Sequence, residues 1–151
     1  MHSVLFVCLG NICRSPLAEA IAQKKVEELA VDVLVDSAGT GDWHIGEAPC
    51  EHSIKIAKLH GLDISHLRAR KVTQADLEKF ELIVALDESN LLHLKKMGAK
   101  NLVKLGDFGY EGADVPDPYF FDGFEGFHAV FEMIEVCVNN LFQIKLQQKD
   151  K

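Results

Sequence analysis

Short apolar runs alternate along this chain with longer segments in which apolar residues recur at helical spacing. The runs lie at residues 4–7, 31–35, 82–86 and 101–105, and their length predicts four β-strands. The first run is apolar at every position, as is typical of a strand that is buried on both faces of a sheet. The pattern therefore predicts a parallel sheet that is covered by helices on both sides.

Helices are predicted between and after the strands. They cover residues 17–29, 49–59, 88–97 and 123–147, with a further helix start at residues 73–76. Residues 37–43 and 106–122 contain glycine, aspartate and proline at turn positions and are predicted to be loops.

This alternation predicts an α/β fold, a three-layer sandwich around a four-stranded parallel sheet that is doubly wound in the flavodoxin-like manner. With 151 residues and no linker or repeat, the chain is predicted to form a single domain over residues 1–151. Ligands of such folds bind at the carboxyl ends of the strands, near the point where the strand order reverses. The first strand ends at Cys8, where this rule predicts a site.

The segment from residue 8 to residue 16, CLGNICRSP, joins that strand to the first helix. Ser15 is predicted to be the N-cap, and Pro16 suits the first helical position, where no N–H is required. The turn then directs backbone N–H groups at a common centre, and the helix dipole adds positive potential. Such a helix start binds phosphate.

Individual residues of the segment fit this interpretation. Gly10 lets the backbone approach a ligand closely, and Asn11 tolerates a left-handed conformation. Arg14 can hold two oxygens of a phosphoryl group with its planar guanidinium. Positive surroundings favour the thiolate of Cys8, which would attack bound phosphate and form a cysteinyl-phosphate. The predicted phosphate-binding residues between Cys8 and Arg14 are Leu9, Gly10, Asn11, Ile12 and Cys13.

Composition limits the partners. The formal charge of −7 argues against nucleic acid or an anionic membrane, so any anion site must be made locally by the loop. The first strand leaves no room for a signal peptide, and no apolar run has the length of a membrane span.

The four cysteines lack CxxC spacing and the density of a disulfide framework, which predicts a cytoplasmic protein. The histidines lack ligand spacing, so neither a metal nor a cofactor is predicted.

Cys8, Arg14, Ser15 and Pro16, together with the later Asp117-Pro118-Tyr119, closely resemble the low-molecular-weight protein tyrosine phosphatases. The resemblance spans the whole chain. It implies a hydrolase that removes phosphate from phosphotyrosine through a cysteinyl-phosphate intermediate.

The resemblance also implies roles for the catalytic residues. Asp117 resembles the general acid that protonates the leaving oxygen and later activates water. Ser15 resembles the hydroxyl that assists departure of the cysteine sulfur, a role that is compatible with an N-cap. Without the cysteine loop, Asp-Pro would be read as an ordinary turn.

Residues outside the loop are implied as well. Asn11, His66 and Asp87 resemble a polar network that holds the loop in shape, although His66 could be a surface histidine and Asp87 a helix N-cap. Trp43 and Tyr119 resemble the aromatic walls of a slot deep enough to select phosphotyrosine, although Trp43 could be a half-buried loop residue.

Two roles remain open for Cys13. It resembles a second cysteine that forms a reversible disulfide with Cys8 under peroxide, and it could also be a small apolar filler beneath the loop. Cys50 and Cys137 are predicted to be bystanders.

The implied partners are a phosphotyrosine-containing protein, inorganic phosphate as product or inhibitor, and a cognate tyrosine kinase.

Three alternatives to a tyrosine phosphatase remain. An arsenate reductase of this fold needs two further cysteines near the third strand, and residues 72–97 contain none. Arginine phosphatases commonly have threonine where this chain has Ile12. A phosphate-binding or phosphocysteine-carrying module would not need Asp117.

Overall fold

The computed structural model describes residues 1–118 and 124–149. The strands are β1 (Ser3–Cys8), β2 (Leu34–Gly39), β3 (Leu82–Ala85) and β4 (Leu102–Lys104). The helices are α1 (Ser15–Leu29), α2 (Glu51–Leu59), α3 (Gln74–Lys79), α4 (Glu88–Met97) and α5 (Glu125–Lys149), and a 3₁₀ turn covers Leu105–Phe108.

The four strands form one parallel sheet in the order β2-β1-β3-β4. The chain passes from β1 to β2 on one side and then crosses back to β3 on the other side, so the strand order reverses at β1. The carboxyl end of β1 is therefore the position at which a doubly wound sheet opens a crevice for a ligand. Both the parallel sheet and the reversal at β1 confirm the fold predicted from the alternating pattern.

Helices cover both faces of the sheet because alternate residues of β1 enter two separate cores. Val4 and Phe6 point into a core that α1, α2 and α5 share. Leu5 and Val7 point into a second core, which α3 and α4 complete. All four side chains are fully buried, and each contributes about 1.5–3 kcal/mol of hydrophobic free energy. This burial on both faces fixes the register of β1 and therefore the position of Cys8.

β2 differs from its prediction. The strand was expected at residues 31–35, with a loop from residue 37, but it begins at Leu34 and continues through Gly39. Parallel pairing with β1 decides these bounds, since Phe6 lies opposite Ser37 and Cys8 lies opposite Gly39. A Cβ at Gly39 would lie 2.7 Å from the carbonyl oxygen of Leu9, so only glycine lets the two segments approach this closely.

Two of the N-cap residues suggested by the sequence are N-caps in the structure, and a third is not. Thr73 forms a capping box with Asp76 at α3, and Asp87 caps α4. Ser15 is not the N-cap of α1 as predicted, because Arg14 occupies that position without a side-chain cap. The fully buried Ser15 hydroxyl is instead directed at Cys8.

Within residues 1–118 and 124–149, no helix combines the length and the apolar character that crossing a bilayer requires.

Candidate active site

The loop after β1 folds tightly over the carboxyl end of the sheet. Asn11 adopts a left-handed conformation with φ of 58°, which its residue type tolerates. The carbonyl oxygens of Cys8 and Leu9 accept hydrogen bonds from Thr40 and Gly41, both at 2.9 Å. These bonds tie the start of the loop to the segment after β2, so the loop is held from outside as well as by its own turn.

Cys8 lies at the base of this loop and is 2% exposed. Its sulfur lies 2.9 Å from the Ser15 hydroxyl oxygen and accepts a hydrogen bond of 3.3 Å from the Asn11 backbone N–H. Both groups can donate a hydrogen bond to the sulfur.

Asn11 connects Cys8 to a longer chain of hydrogen bonds. Its side-chain amide donates to the hydroxyls of Ser15 and Ser37, at 2.8 and 2.9 Å. Its side-chain carbonyl accepts from the Arg70 backbone N–H at 3.0 Å. Ser37 in turn donates to Glu19 at 2.6 Å. Asn11 was predicted to belong to a polar network, but Ser37 and Arg70 were not, because both are distant from the loop in sequence and no spacing links them to it.

Glu19 ends this chain of hydrogen bonds. Burial raises the pKa of its carboxyl, and the negative charge of Asp36 adds to the increase, while the Ser37 hydrogen bond, His66 and Arg70 oppose it. His66 lines a separate hollow together with Glu19. The structure therefore brings His66 to the far end of the network, whereas a direct role in holding the loop stays a prediction.

Arg14 and Asp87 join the loop to the end of β3. The Arg14 Nη1 donates to Asp87 Oδ2 at 2.9 Å and to the Val115 carbonyl at 3.0 Å. The other carboxylate oxygen of Asp87 accepts from the Asn90 backbone N–H at 2.8 Å. Asp87 thus caps α4, which is one of the two roles that the sequence left open, and it also contacts Arg14. Its role in a network that holds the loop in shape stays a prediction.

A cavity of about 290 Å³ opens above Cys8. Its lining combines the loop with residues from two other segments: Cys8, Leu9, Gly10, Ile12, Cys13, Arg14, Trp43, His44 and Asp117. Cys8, Arg14 and Asp117, which the sequence predicted to act together, therefore border one space although about a hundred residues separate the aspartate from the loop.

The rim of this cavity is partly aromatic. Trp43 lines the cavity and is 68% exposed, so it is more open than the half-buried loop residue that the sequence left as the alternative, and its role as a wall of a substrate slot stays a prediction. Tyr119, which was predicted as the other wall, lies outside the described residues. His44 also lines the cavity and pairs with Glu47 at 3.0 Å, and a Cβ at Gly10 would lie 3.0 Å from its ring. His44 was not predicted, because a lone loop histidine gives no spacing signal.

Comparison with known proteins identifies the family. The profile described as low molecular weight phosphotyrosine protein phosphatase matches residues 3–151. The chain belongs to this family. One relative, the low molecular weight protein-tyrosine-phosphatase YfkJ of Bacillus subtilis, is 44% identical over 133 residues, which cover 83% of this chain and 85% of that protein.

Solved structures of phosphatases agree with the fold. A protein tyrosine phosphatase from Entamoeba histolytica, with Hepes in its active site, superposes with a TM-score of 0.91 at 34% identity over 100% of both chains. DARP, a Drosophila arginine phosphatase, superposes with a TM-score of 0.86 at 35% identity over 94% of this chain and 96% of that one.

One cysteine of this low molecular weight phosphatase was assigned wrongly from the sequence. Cys50, predicted to be a bystander, forms a disulfide with Cys13, and their Cα atoms are 5.3 Å apart. Cys8 and Cys137 are free thiols. The start of α2 packs against the active-site loop, where the Cys50 N–H donates to the Ile12 carbonyl at 2.7 Å, and this contact brings Cys50 to Cys13. Burial raises the pKa of the Cys137 thiol to about 11.

Among the residues that the structure describes, no group of three or more histidine, cysteine, aspartate or glutamate side chains could hold a metal ion.

Proposed function

We propose that this protein is a protein tyrosine phosphatase that hydrolyses phosphotyrosine through a cysteinyl-phosphate on Cys8. One observation carries the proposal. Cys8, Arg14 and Asp117 line the same cavity, at the carboxyl end of β1 and the start of α1. These are a nucleophile, an oxyanion binder and a proton donor in one space.

The first step transfers the phosphoryl group to the protein. The backbone amides of residues 9–14 and the helix dipole of α1 would hold the phosphate oxygens. Arg14 commits Nη1 to Asp87 and Val115, so its other N–H groups would bind two of those oxygens. The Cys8 thiolate attacks phosphorus, the S–P bond forms, and the bond to the phenolic oxygen breaks as Asp117 protonates that oxygen.

The second step regenerates the thiolate. Asp117, now ionised, takes a proton from water, which attacks phosphorus and breaks the S–P bond. Ser15 lies 2.9 Å from the sulfur and would donate to it as negative charge returns. Inorganic phosphate leaves as the product and, at high concentration, would compete with substrate for the same loop.

Three features support phosphotyrosine over the alternatives. Trp43 provides an aromatic wall, and Ile12 provides an apolar one where arginine phosphatases commonly carry threonine. An aromatic ring fits between such walls better than a charged guanidinium does. Asp117 in the cavity argues against a module that only carries phosphate. The structural likeness to DARP keeps phosphoarginine as the second candidate substrate.

The extent of the domain, the partners and the cellular location are part of the proposal. The whole chain, residues 1–151, would act as one phosphatase domain on a phosphotyrosine-containing protein, opposite a cognate tyrosine kinase. Its formal charge of −7 supports a protein partner over nucleic acid or an anionic membrane. A cytoplasmic location is likewise proposed.

A substrate panel tests the function. Reduced protein would be assayed on peptides that carry phosphotyrosine, phosphoarginine or phosphoserine, and on arsenate with a dithiol. We expect phosphotyrosine to be preferred, and Cys8→Ser to abolish turnover while it still binds inorganic phosphate. Cys137→Ser, which removes a buried thiol that lies outside the cavity, is the matched control and should retain activity.

Other outcomes would overturn the proposal. Faster turnover of phosphoarginine would make the protein an arginine phosphatase, and reduction of arsenate without phosphatase turnover would make it a reductase. Binding of phosphate with no turnover of any ester would leave a phosphate-binding module.

A further inference from the structure

The Cys13–Cys50 disulfide borders the active site without including Cys8. Cys13 belongs to the active-site loop and lines the same cavity as Cys8. Cys50 immediately precedes α2 and is 8% exposed. Cys13 therefore shares a cavity with Cys8 and is bonded to Cys50.

Contacts other than the disulfide hold Cys50 in place. Its N–H donates to the Ile12 carbonyl at 2.7 Å, and Ser53 donates to the Cys13 carbonyl at 2.9 Å. These bonds do not depend on the oxidation state of the sulfurs. The two thiols consequently stay close to one another when the disulfide is reduced, as exchange between them requires.

Cys137 is the remaining thiol, and the fold excludes it from this exchange. It is fully buried in α5, within the core that α1 and α2 share. A sulfur enclosed by apolar side chains is a poor nucleophile and is inert toward oxidants.

We propose that Cys50 is a second resolving thiol. It attacks Cys13 in a Cys8–Cys13 disulfide, releases Cys8 as a free thiolate, and so restores the active enzyme without an external reductant. The proposal depends on the proposed function, because Cys8 is its nucleophile. It adds an activity to that function, since the reduced protein would consume one equivalent of peroxide and return to the catalytically competent state.

Three steps make up this sequence. The Cys8 thiolate attacks hydrogen peroxide, gives a sulfenic acid and releases hydroxide. The Cys13 thiolate attacks the Cys8 sulfur, the S–O bond breaks, and a Cys8–Cys13 disulfide forms as a second hydroxide leaves. The Cys50 thiolate then attacks the Cys13 sulfur, forms Cys13–Cys50 and releases Cys8 as a thiolate.

The electrons and atoms balance over the three steps. Cys13 and Cys50 together lose two electrons and two protons, and peroxide becomes two molecules of water. The final state has a free Cys8 and a Cys13–Cys50 disulfide, which is the arrangement in the structure. A dithiol reductant would have to reduce this disulfide before the protein could consume a second equivalent.

The test begins with fully reduced protein from which the reductant has been removed. Turnover of an aryl phosphate is measured first, one molar equivalent of hydrogen peroxide is added, and catalase ends the exposure. Activity is then followed with time, and disulfides are mapped by mass spectrometry of non-reduced peptides. For the wild type we expect activity to fall and then recover, as Cys8–Cys13 gives way to Cys13–Cys50.

Variants separate the steps. Cys50→Ser and Cys50→Ala should stop at Cys8–Cys13 and regain activity only when dithiothreitol is added. Cys13→Ser should form neither disulfide and should not recover after excess peroxide. Cys137→Ser should behave as the wild type. Under excess peroxide, wild-type protein that already carries the Cys13–Cys50 disulfide should also lose activity irreversibly, because Cys13 is no longer available to resolve the Cys8 sulfenic acid before peroxide oxidises it further.

Two results would overturn the inference. One is recovery of Cys50→Ser without reductant at the wild-type rate, and the other is a wild-type protein that remains in the Cys8–Cys13 state. Absence of turnover before peroxide would instead contradict the proposed function. The disulfide maps do not depend on turnover, so the two failures can be distinguished.

Discussion

Arg14 and Asp87 form the contact that fixes the guanidinium over the active-site loop. The Nη1–Oδ2 distance is 2.9 Å, and the two side chains are only 9% and 18% exposed. The second oxygen of Asp87 caps α4 through the Asn90 N–H. One carboxylate therefore connects the catalytic loop to the helix that follows β3, and its two oxygens can be tested separately.

Asp87→Asn keeps an oxygen for the cap but removes the charge that orients Arg14. A hydrogen bond between charged groups contributes about 1.5–3 kcal/mol, so we expect kcat/KM for an aryl phosphate to fall about 10- to 100-fold. Asp87→Ala should also lower the free energy of unfolding by about 1 kcal/mol, because the cap is lost. Steady-state kinetics and urea denaturation measure the two effects.

Thr73→Ala provides the control for the cap. Thr73 caps α3 by accepting from the Asp76 N–H, and it does not line the active-site cavity. We expect a similar loss of stability, about 1 kcal/mol, with unchanged kcat/KM. Equal kcat/KM for Asp87→Asn and the wild type would show that Arg14 does not need its carboxylate partner.

Asp117 should matter most when the leaving group is poor. As the proton donor to the departing oxygen, it is expected to accelerate that step by about 10²- to 10⁴-fold. Asp117→Asn should therefore show a steep dependence of kcat/KM on the pKa of the leaving phenol, where the wild type shows a shallow one. A series of substituted phenyl phosphates measures both slopes.

Asp114 is the matched control in the same loop. It forms an ion pair with Lys104 at 2.6 Å and accepts from the Glu88 N–H at 3.0 Å, and it does not line the cavity. Asp114→Asn should leave the leaving-group dependence unchanged. The same shallow slope in Asp117→Asn would remove Asp117 from the role of acid.

Ser15 should affect the second chemical step more than the first. Its hydroxyl lies 2.9 Å from the Cys8 sulfur, where it can stabilise the departing thiolate. Ser15→Ala should produce a burst of phenol followed by slow turnover, with kcat lower by about 10- to 100-fold. Stopped-flow measurement of phenol release, with trapping of the phosphorylated protein, detects the accumulated intermediate.

Ser53→Ala removes a different hydrogen bond to the loop, the one that the Cys13 carbonyl accepts. This change should lower stability slightly and produce no burst. If Ser15→Ala also released phenol without a burst, decay of the cysteinyl-phosphate would not depend on its hydroxyl.

The loop and its neighbours could be predicted because their signals are local. The apolar run of β1, the left-handed Asn11 and the proline after Ser15 follow each other within a few residues, and each has one favoured backbone conformation. Asp117 could be linked to the loop only through the family resemblance. No local pattern distinguishes it from an ordinary Asp-Pro turn.

What could not be predicted depends on tertiary contacts. β2 begins three residues later than expected because its pairing with β1, and the close approach of Gly39 to Leu9, decide the register. Cys50 lies 37 residues from Cys13, and only the packing of α2 against the loop brings the two together. Ser15 does not act as the N-cap because Asn11 and Cys8 engage its hydroxyl.

Glu19 links the active-site network to pH. Its carboxyl accepts from Ser37 at 2.6 Å, and burial raises its pKa above the ordinary value of 4.5. At a pH below 4.5 the side chain is protonated in both the folded and the unfolded chain, so no charge is buried and the folded protein has its full stability. As the pH rises through the folded-state pKa, ionisation is less favourable in the folded protein, and the stability that the protonated carboxyl provided is lost.

Glu19→Gln should remove this pH dependence, since glutamine keeps an oxygen for Ser37 and cannot ionise. We expect the variant to match the wild type at about pH 4 and to be more stable than the wild type at about pH 7. Urea denaturation at several pH values measures the difference, and Glu27→Gln, which removes an exposed carboxylate from the same helix, corrects for the change in net charge. A wild type that is the more stable protein at neutral pH would mean that attraction of ionised Glu19 to Arg70 and His66 outweighs its burial.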